Sequence, residues 1–233
     1  MYFYFYDDPF SLAMYVLGIV LVIASIAVQA HVTSSFNKYS KVLSSRGITG
    51  AQAAQMVLEK NGVVGCMIGR VGGKLTDHYD PRSNTISLSD EVYASSSVAA
   101  VGVAAHEAGH AVQYAKMYGP IKFRMAILPA ANLGSKLAIP LAIIGLVISF
   151  LPLIYAGIAL FAAVTLFQLV TLPVELDASR RAMAAISSPD MLSPEEAKGA
   201  RRVLTAAALT YVAALASSIV QLLRLIAMAD RRR

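Results

Sequence analysis

Residues 10–30 run for 21 positions without a charged side chain. As a helix rising about 1.5 Å per residue, that run is about 31 Å long, the depth of a bilayer's hydrocarbon core. A second apolar stretch, 137–172, is 36 residues long and is bounded by Lys136 and Glu175, with Pro152 and Gly157 near its middle. That is room for two short spans joined by a tight turn around "FLPL". A third, "VLTAAALTYVAALASSIVQLL" (203–223), is also uncharged but rich in Ala, Ser and Thr, so it either spans or packs as a helix against the others. The composition supports reading these runs as membrane segments and not as soluble core. The chain is 57% hydrophobic and only 15% charged, with a mean hydropathy of +0.60.

The N-terminal flank "MYFYFYDDPF" carries Asp7 and Asp8 and no Lys or Arg, so it lacks the positive region of a cleavable signal. The first run therefore reads as an uncleaved anchor, although "VQA" before His31 is a weak cleavage-like site. A net charge of +6 raises the question of nucleic acid. The basic residues are scattered through loops, without aromatic interleaving or a nucleic-acid module, so a positive-inside bias explains them better. Ten Lys or Arg lie between His31 and Lys136, while the N-terminal flank and the "FLPL" turn have none. This puts the large loop in the cytoplasm and the N-terminus outside. "RRR" at 231–233 fits that bias only if the last apolar helix does not cross. Cys66 is alone, which excludes an intrachain disulfide and a multi-cysteine metal site and leaves a small semi-buried residue.

The polar region from His31 to about Arg124 is long enough for a small domain. "TGAQAAQMVLEKNG" reads as a helix with Thr49 as N-cap, Gly62 as a left-handed stop, and Ala53, Met56 and Val57 on one face. "KLTDHYDPRSNTISLSD" reads as a hairpin, with extended stretches at 75–79 and 85–88 around a "DPRSN" turn. The segment from Ser89 to Pro120 reads as one long helix, capped near Ser89 or Asp90 and ended by Gly119-Pro120. After the apolar hairpin, "LPVELDASRRAMAAI" is a helix with Pro173 near its start. "SPEEAKGARRVL" opens another, with Ser193, Pro194 and Glu196 forming a capping box.

The chemistry lies in "VAAHEAGHAV" (103–112). His106 and His110 are four apart, so on a helix both imidazoles project from one face and can reach one ion at roughly 2.0–2.1 Å. Glu107 lies one position round, beside such an ion and not on it. This is the H-E-x-x-H arrangement of zinc peptidases. Two imidazoles and a carboxylate in an Ala-rich helix cost several kcal/mol unless something pairs with them, which argues against core histidines. Gly109 and Ala108 leave little bulk where another helix or a substrate must come close. A catalytic zinc needs a third protein ligand and an open position. The remaining histidines are His31, beside the anchor, and His78, in the expected hairpin; Glu175 opens the helix after the apolar hairpin, with Ser179 one turn later and Arg180 next to it.

"AAHEAGHAVQ", with "PVELDASRRA" after a pair of apolar segments, resembles the YugP-type membrane zinc metallopeptidases, a family related in motif to the HtpX-type gluzincins. The resemblance extends through "KYSKVLSSRGITGAQAA" and "LTDHYDPRSNTISLS" and covers nearly the whole chain. It implies that Glu175 is the third ligand and that Ala178 matches the alanine of the family's E-x-x-A-D pattern. Ser179 stands where that pattern has Asp, and a hydroxyl is a weaker acceptor for orienting an imidazole. Asp177 is a nearby carboxylate whose angular offset from Glu175 makes it a poor substitute, and it reads more simply as a solvated surface charge. The resemblance also makes "NTISLS" the edge strand of a small sheet that pairs with an extended peptide. His78, Tyr79, Tyr114 and Arg180 are candidate donors to an oxyanion.

The expected fold is mainly α: a zincin-like metallopeptidase core with a small β-hairpin or sheet, embedded in a bundle of three to four transmembrane helices. The expected division is an anchor at 1–31, a peptidase core at 32–126, a transmembrane hairpin at 127–174, a third-ligand helix and connection at 175–202, and a C-terminal apolar helix with basic tail at 203–233. The expected function is hydrolysis of peptide bonds at the cell-membrane surface, on the cytoplasmic side, with one Zn2+ per chain. His106, His110 and Glu175 would be the ligands and Glu107 the base. Peptides or proteins and the lipid bilayer are the partners, with no nucleic acid. Intramembrane cleavage is the alternative, disfavoured because residues 137–172 contain no acid. A zinc-bound scaffold or regulator without turnover is a further one, disfavoured because a closed structural site has no use for an adjacent base.

Overall fold

The computed structural model describes residues 9–230. The tracts 1–8 and 231–233, with Asp7, Asp8 and the "RRR" tail on which part of the orientation reading turned, lie outside the described residues. The chain is mainly helical with one three-stranded sheet. Helices α1 (Pro9–Tyr39), α5 (Gly119–Val147), α6 (Leu151–Ile186) and α7 (Pro194–Asp230) are each long and apolar enough to cross a membrane. Between α1 and α5 come α2 (Gly50–Lys60), β1 (Met67–Val71), β2 (His78–Asp80), β3 (Thr85–Ser89), α3 (Asp90–Tyr93) and α4 (Val98–Ala115).

The helices divide between two compact units. The first takes residues 9–28, 122–172 and 210–230. Its turn between α5 and α6 is tighter than "FLPL" suggested. Ser149 sits in the left-handed region at φ 55°, and Phe150 N–H donates to Gly145 O at 2.8 Å while Ser149 N–H reaches back to Leu146 O. That pairing satisfies carbonyls that the end of α5 would otherwise leave open. Neither α5 nor α6 respects the limits of the charge-free run 137–172. Pro129 and Pro140 lie inside α5 and Pro173 inside α6, so the helix expected to start near Pro173 is the continuation of the preceding apolar one. Residues 203–223 likewise belong to one helix that begins at Pro194. Its capping box forms as the spacing predicts, with Ser193 N–H donating to Glu196 Oε2 at 2.8 Å and Glu196 N–H to Ser193 Oγ at 3.4 Å.

The second unit comprises Gln29–Ile121 and Pro173–Leu209. Its core is built around α4, whose residues Val98, Ala99, Val101, Ala104, Ala105, Ala108 and Val112 are fully enclosed. Ala53, Ala54 and Val57 of α2 and Ile86 and Leu88 of β3 join the same cluster. Thr49 caps α2 in a capping box with Gln52, and Gly62 (φ 69°) ends it.

Two expectations fail here. The long helix from Ser89 is broken at "ASSS": α3 is a single turn, and α4 starts afresh with Ser97 Oγ accepting from Ala100 N–H at 3.2 Å. The break persists because the 95–98 backbone is used elsewhere. Ser44 N–H donates to Ser96 O, Gly50 N–H to Ser95 O, and Val98 N–H to Val42 O. Serine side chains compete well with helix at such points. At its other end α4 stops before Gly119, with Met117 left-handed at φ 56° and Tyr118 N–H on Gln113 O.

The second failure concerns the sheet. β2 and β3 pair antiparallel as the hairpin predicts, but β1 adds to β3 in parallel, giving the order β1-β3-β2. "NTISLS" is therefore the central strand, with both edges occupied, and not the edge strand expected to receive a peptide. Ile86 and Leu88 explain its position, since both point into the core and are completely buried.

Candidate metal centre

Helix α4 presents His106 and His110 one turn apart on the face that meets α6. The imidazoles lie edge to face, with centroids 4.8 Å apart and planes at 84°. Into the space between them comes the Glu175 carboxylate, whose Oε2 is 3.3 Å from His106 Nε2 and 3.4 Å from His110 Nε2. The three donor atoms lie within 4.8 Å of one another. The Glu175 side chain is 4% exposed, and the histidines retain 16% and 12%.

Those separations fit a cation better than direct hydrogen bonds, for which 3.3–3.4 Å is long. Tetrahedral ligands at about 2.05 Å from an ion stand roughly 3.35 Å apart along each edge. The donor set of two nitrogens and one carboxylate oxygen is also one that a divalent zinc accepts. His106, His110 and Glu175 could therefore hold a metal ion together.

The far side of each ring is fixed by a second group. Gln113 is completely buried, and its Nε2 donates to Val174 O at 2.8 Å and to Asp177 Oδ2 at 2.9 Å. With its nitrogen so committed, its Oε1 is the end facing His110 Nδ1 at 3.0 Å, and it accepts the Nδ1 proton. His110 Nε2 is then left with its lone pair toward Glu175 and His106. Ser179 Oγ stands 3.1 Å from His106 Nδ1 and can fix that ring in the same tautomer.

Asp177 is not the solvated charge that its sequence position suggested. It is 5% exposed, held by Gln113, by Arg181 Nε at 2.6 Å and by Arg180. Two residues along a helix turn it roughly 200° from Glu175, so it reaches the site through Gln113 and not directly. Gln113 itself escaped the sequence reading. The signal was its spacing of three from His110, which puts both on one helical face.

Gly109 allows α4 to lie against α6. A Cβ there would be 2.6 Å from Ala178 O and 3.2 Å from Ala178 C, so the two backbones touch beside the donor atoms. Of the two close partners foreseen for this glycine, the helix is the one found.

Glu107 is 9% exposed, and its charge is felt at His110. Burial works to lower the His110 pKa, but the Glu175 carboxylate beside it, the charge of Glu107 and the contact with Gln113 outweigh it and raise the value above 6.5. The site thus favours positive charge at His110 Nε2, whether proton or metal.

The four oxyanion candidates are placed differently. Tyr79 OH donates to Asn84 Oδ1 at 2.8 Å, and its ring stacks at a tilt on Tyr114 of α4, centroids 5.4 Å apart. Burial, followed by nearby Cys66, Tyr114 and Asp80, pushes the Tyr79 phenol up to about 12, so it stays protonated as a donor must. His78 is exposed on β2 with Nδ1 2.8 Å from Thr76 O. Arg180 is committed to Asp177, with 77% of its side chain exposed. His31 lies exposed on α1 and is not part of the donor group.

A family profile described as "Putative neutral zinc metallopeptidase" matches residues 14–230. The chain belongs to that family. Among its relatives is the "Putative membrane protease YugP" of Bacillus subtilis (strain 168), 46% identical over 198 residues, which are 85% of this chain and 88% of the relative. No solved structure matches the chain. Membership of a zinc metallopeptidase family supports a protease role and zinc, and the donor group of two imidazoles and a carboxylate suits that metal. The four long apolar helices agree with a membrane protein.

Proposed function

We infer that the protein is a membrane-bound zinc endopeptidase that hydrolyses peptide bonds at the bilayer surface. The observation that carries this reading is the convergence of His106 Nε2, His110 Nε2 and Glu175 Oε2, with Glu107 one helical position from the first of them. His106, His110 and Glu175 would hold one zinc per chain. When bound, zinc supplies a Lewis acid and lowers the pKa of water to about 7. Glu107 accepts the proton from the attacking water and returns it to the leaving amine. Gln113 and Ser179 hold the two Nδ1 protons, so both histidines keep their Nε2 lone pairs toward the site. Peptide or protein chains are the substrate, and among the oxyanion candidates this reading favours Tyr79, which stays protonated, stacks on Tyr114 of α4 and would turn its O–H from Asn84 to the oxyanion.

In this reading residues 9–31 anchor the chain and 127–174 and the apolar stretch 203–223 accompany them in the membrane, while 32–126 and 175–202 form the peptidase. The basic character of residues 31–136 supports a cytoplasmic position for that part. Cleavage at the surface is favoured over cleavage within the bilayer because Glu175, the donor on α6, lies past the charge-free run 137–172.

The test is a pair of variants in purified, zinc-loaded protein. Glu107→Gln should keep zinc and lose peptide cleavage by about 10²–10⁴-fold. Glu175→Ala should lose zinc itself. Full cleavage by the first, or undiminished zinc affinity in the second, would refute the assignment.

A further inference from the structure

Away from the metal centre, the second unit contains a cavity of about 530 Å³ between the end of α1 and the beginning of α7. His31, Lys38, Arg201 and Arg202 line it, together with hydroxyls of Ser34 and Thr205, and no acidic side chain does. None of these residues has a part in the proposed zinc site. Three permanent cations around one concave space attract an anion, and hydroxyls beside guanidinium groups suit the oxygens of a phosphate.

The charged side chains around it are exposed, and one of them is held in place by the fold. Tyr39 lies against Gly199, where a Cβ would be 2.8 Å from two of its ring carbons, so its ring has a fixed seat on α7. From there Tyr39 OH accepts from Arg202 Nη1 at 3.0 Å, which directs that guanidinium.

Its place in the sequence gives the source of the phosphate. His31 directly follows the charge-free run 10–30, and Arg201 and Arg202 directly precede the charge-free run 203–223. Lys38 is eight residues past the first run, about 12 Å along the helix, with a side chain long enough to reach back. Where both helices leave the hydrocarbon, the neighbouring phosphates are those of lipid headgroups.

We propose that this cavity binds the phosphate of an anionic membrane lipid. The site rests on the reading that α1 and α7 cross the bilayer, which alkaline extraction of the membranes tests separately. Its ligand is a phosphodiester headgroup such as that of phosphatidylglycerol, held by Lys38, Arg201 and Arg202 with the hydroxyls around it.

The experiment is native mass spectrometry of the full, zinc-loaded chain released from nanodiscs of equal phosphatidylglycerol and phosphatidylcholine. The parent should retain phosphatidylglycerol selectively. The triple variant Lys38→Gln/Arg201→Gln/Arg202→Gln should lose that retention on the order of a hundredfold, and Lys38→Gln alone roughly fivefold, with zinc content unchanged. Arg70→Gln/Lys74→Gln/Arg82→Gln removes the same charge elsewhere and should behave as the parent. Equal retention by the triple variant, equal loss in the charge-matched control, or retention of both lipids alike would overturn the proposal. So would displacement of the lipid by low-millimolar inorganic phosphate, which would make the cavity a site for soluble phosphate. If the triple variant unfolds, the graded loss in Lys38→Gln against an unchanged control still decides the matter.

Discussion

A methyl carbon on Gly109 would stand 2.6 Å from the carbonyl oxygen of Ala178, so the backbones of α4 and α6 meet beside the metal-binding atoms. Two ligands ride on one of these helices and the third on the other. Gly109→Ala must therefore push Glu175 away from His106 and His110, at an overpacking cost of about 1–3 kcal/mol. Zinc content, measured after dialysis, should fall together with the unfolding temperature. Gly72→Ala is the control, because a Cβ there meets nothing within 4 Å. Full zinc retention by Gly109→Ala would show that the contact does not set the spacing.

Gln113 joins His110 to Asp177 and to the backbone of Val174 while wholly enclosed. Replacing it by Leu removes the group that holds the Nδ1 proton and leaves a buried carbonyl and carboxylate short of a donor. Zinc affinity should drop about 10–100-fold by competition with a chelator. Because Asp177 acts through the same amide, Asp177→Asn combined with Gln113→Leu should cost less than the sum of the two alone. Strict additivity would mean that Asp177 is structural and independent of the site.

Ser179 occupies the position at which the related E-x-x-A-D pattern has Asp, and its hydroxyl is 3.1 Å from His106 Nδ1. Ser179→Ala should weaken zinc binding less than loss of Gln113 does, since a neutral hydroxyl is the weaker partner. Ser179→Asp should strengthen it, because a carboxylate accepts the same proton with a charge-assisted bond. Isothermal titration of both variants gives the order, and a weaker Asp variant would show that the pocket around His106 is shaped for the hydroxyl.

What the sequence made legible was periodic or capped. The spacing of His106 and His110 and the Thr49 and Ser193 caps each follow from a local rule and recur in the structure, while the charge-free runs recur inside longer helices. What it hid depended on partners distant in the chain. The serines of "ASSS" permit a break without requiring one; it is fixed by Val42, Ser44 and Gly50 using its backbone. β1 was missed because a parallel partner leaves no turn signal between strands, and its arrival converts β3 from edge to centre. Asp177 looked like a surface charge because its neighbours Arg180 and Arg181 are charged too. Burial against Gln113, 64 residues earlier, was not visible in that local pattern.

The raised pKa of His110 gives zinc binding a definite dependence on pH. In chelator-treated protein, Glu175 and Glu107 favour a proton on this imidazole, so the folded state holds it more tightly than the unfolded chain does. The resulting stability is fully present below the ordinary value of 6.5 and is lost as pH rises through the higher folded value. Zinc needs the same nitrogen deprotonated, so its affinity changes in the opposite sense and grows as pH rises through that value. The stabilisation by zinc, which reaches about 2.7 kcal/mol when free metal is at a hundred times its dissociation constant, should therefore be larger at about pH 8 than at about pH 6. Unfolding temperatures with and without chelator at the two pH values measure both trends. His106→Ala/His110→Ala should abolish the zinc-dependent difference. A stabilisation equal at both pH values would mean that no proton leaves when the metal binds, and would remove His110 from the ligand set.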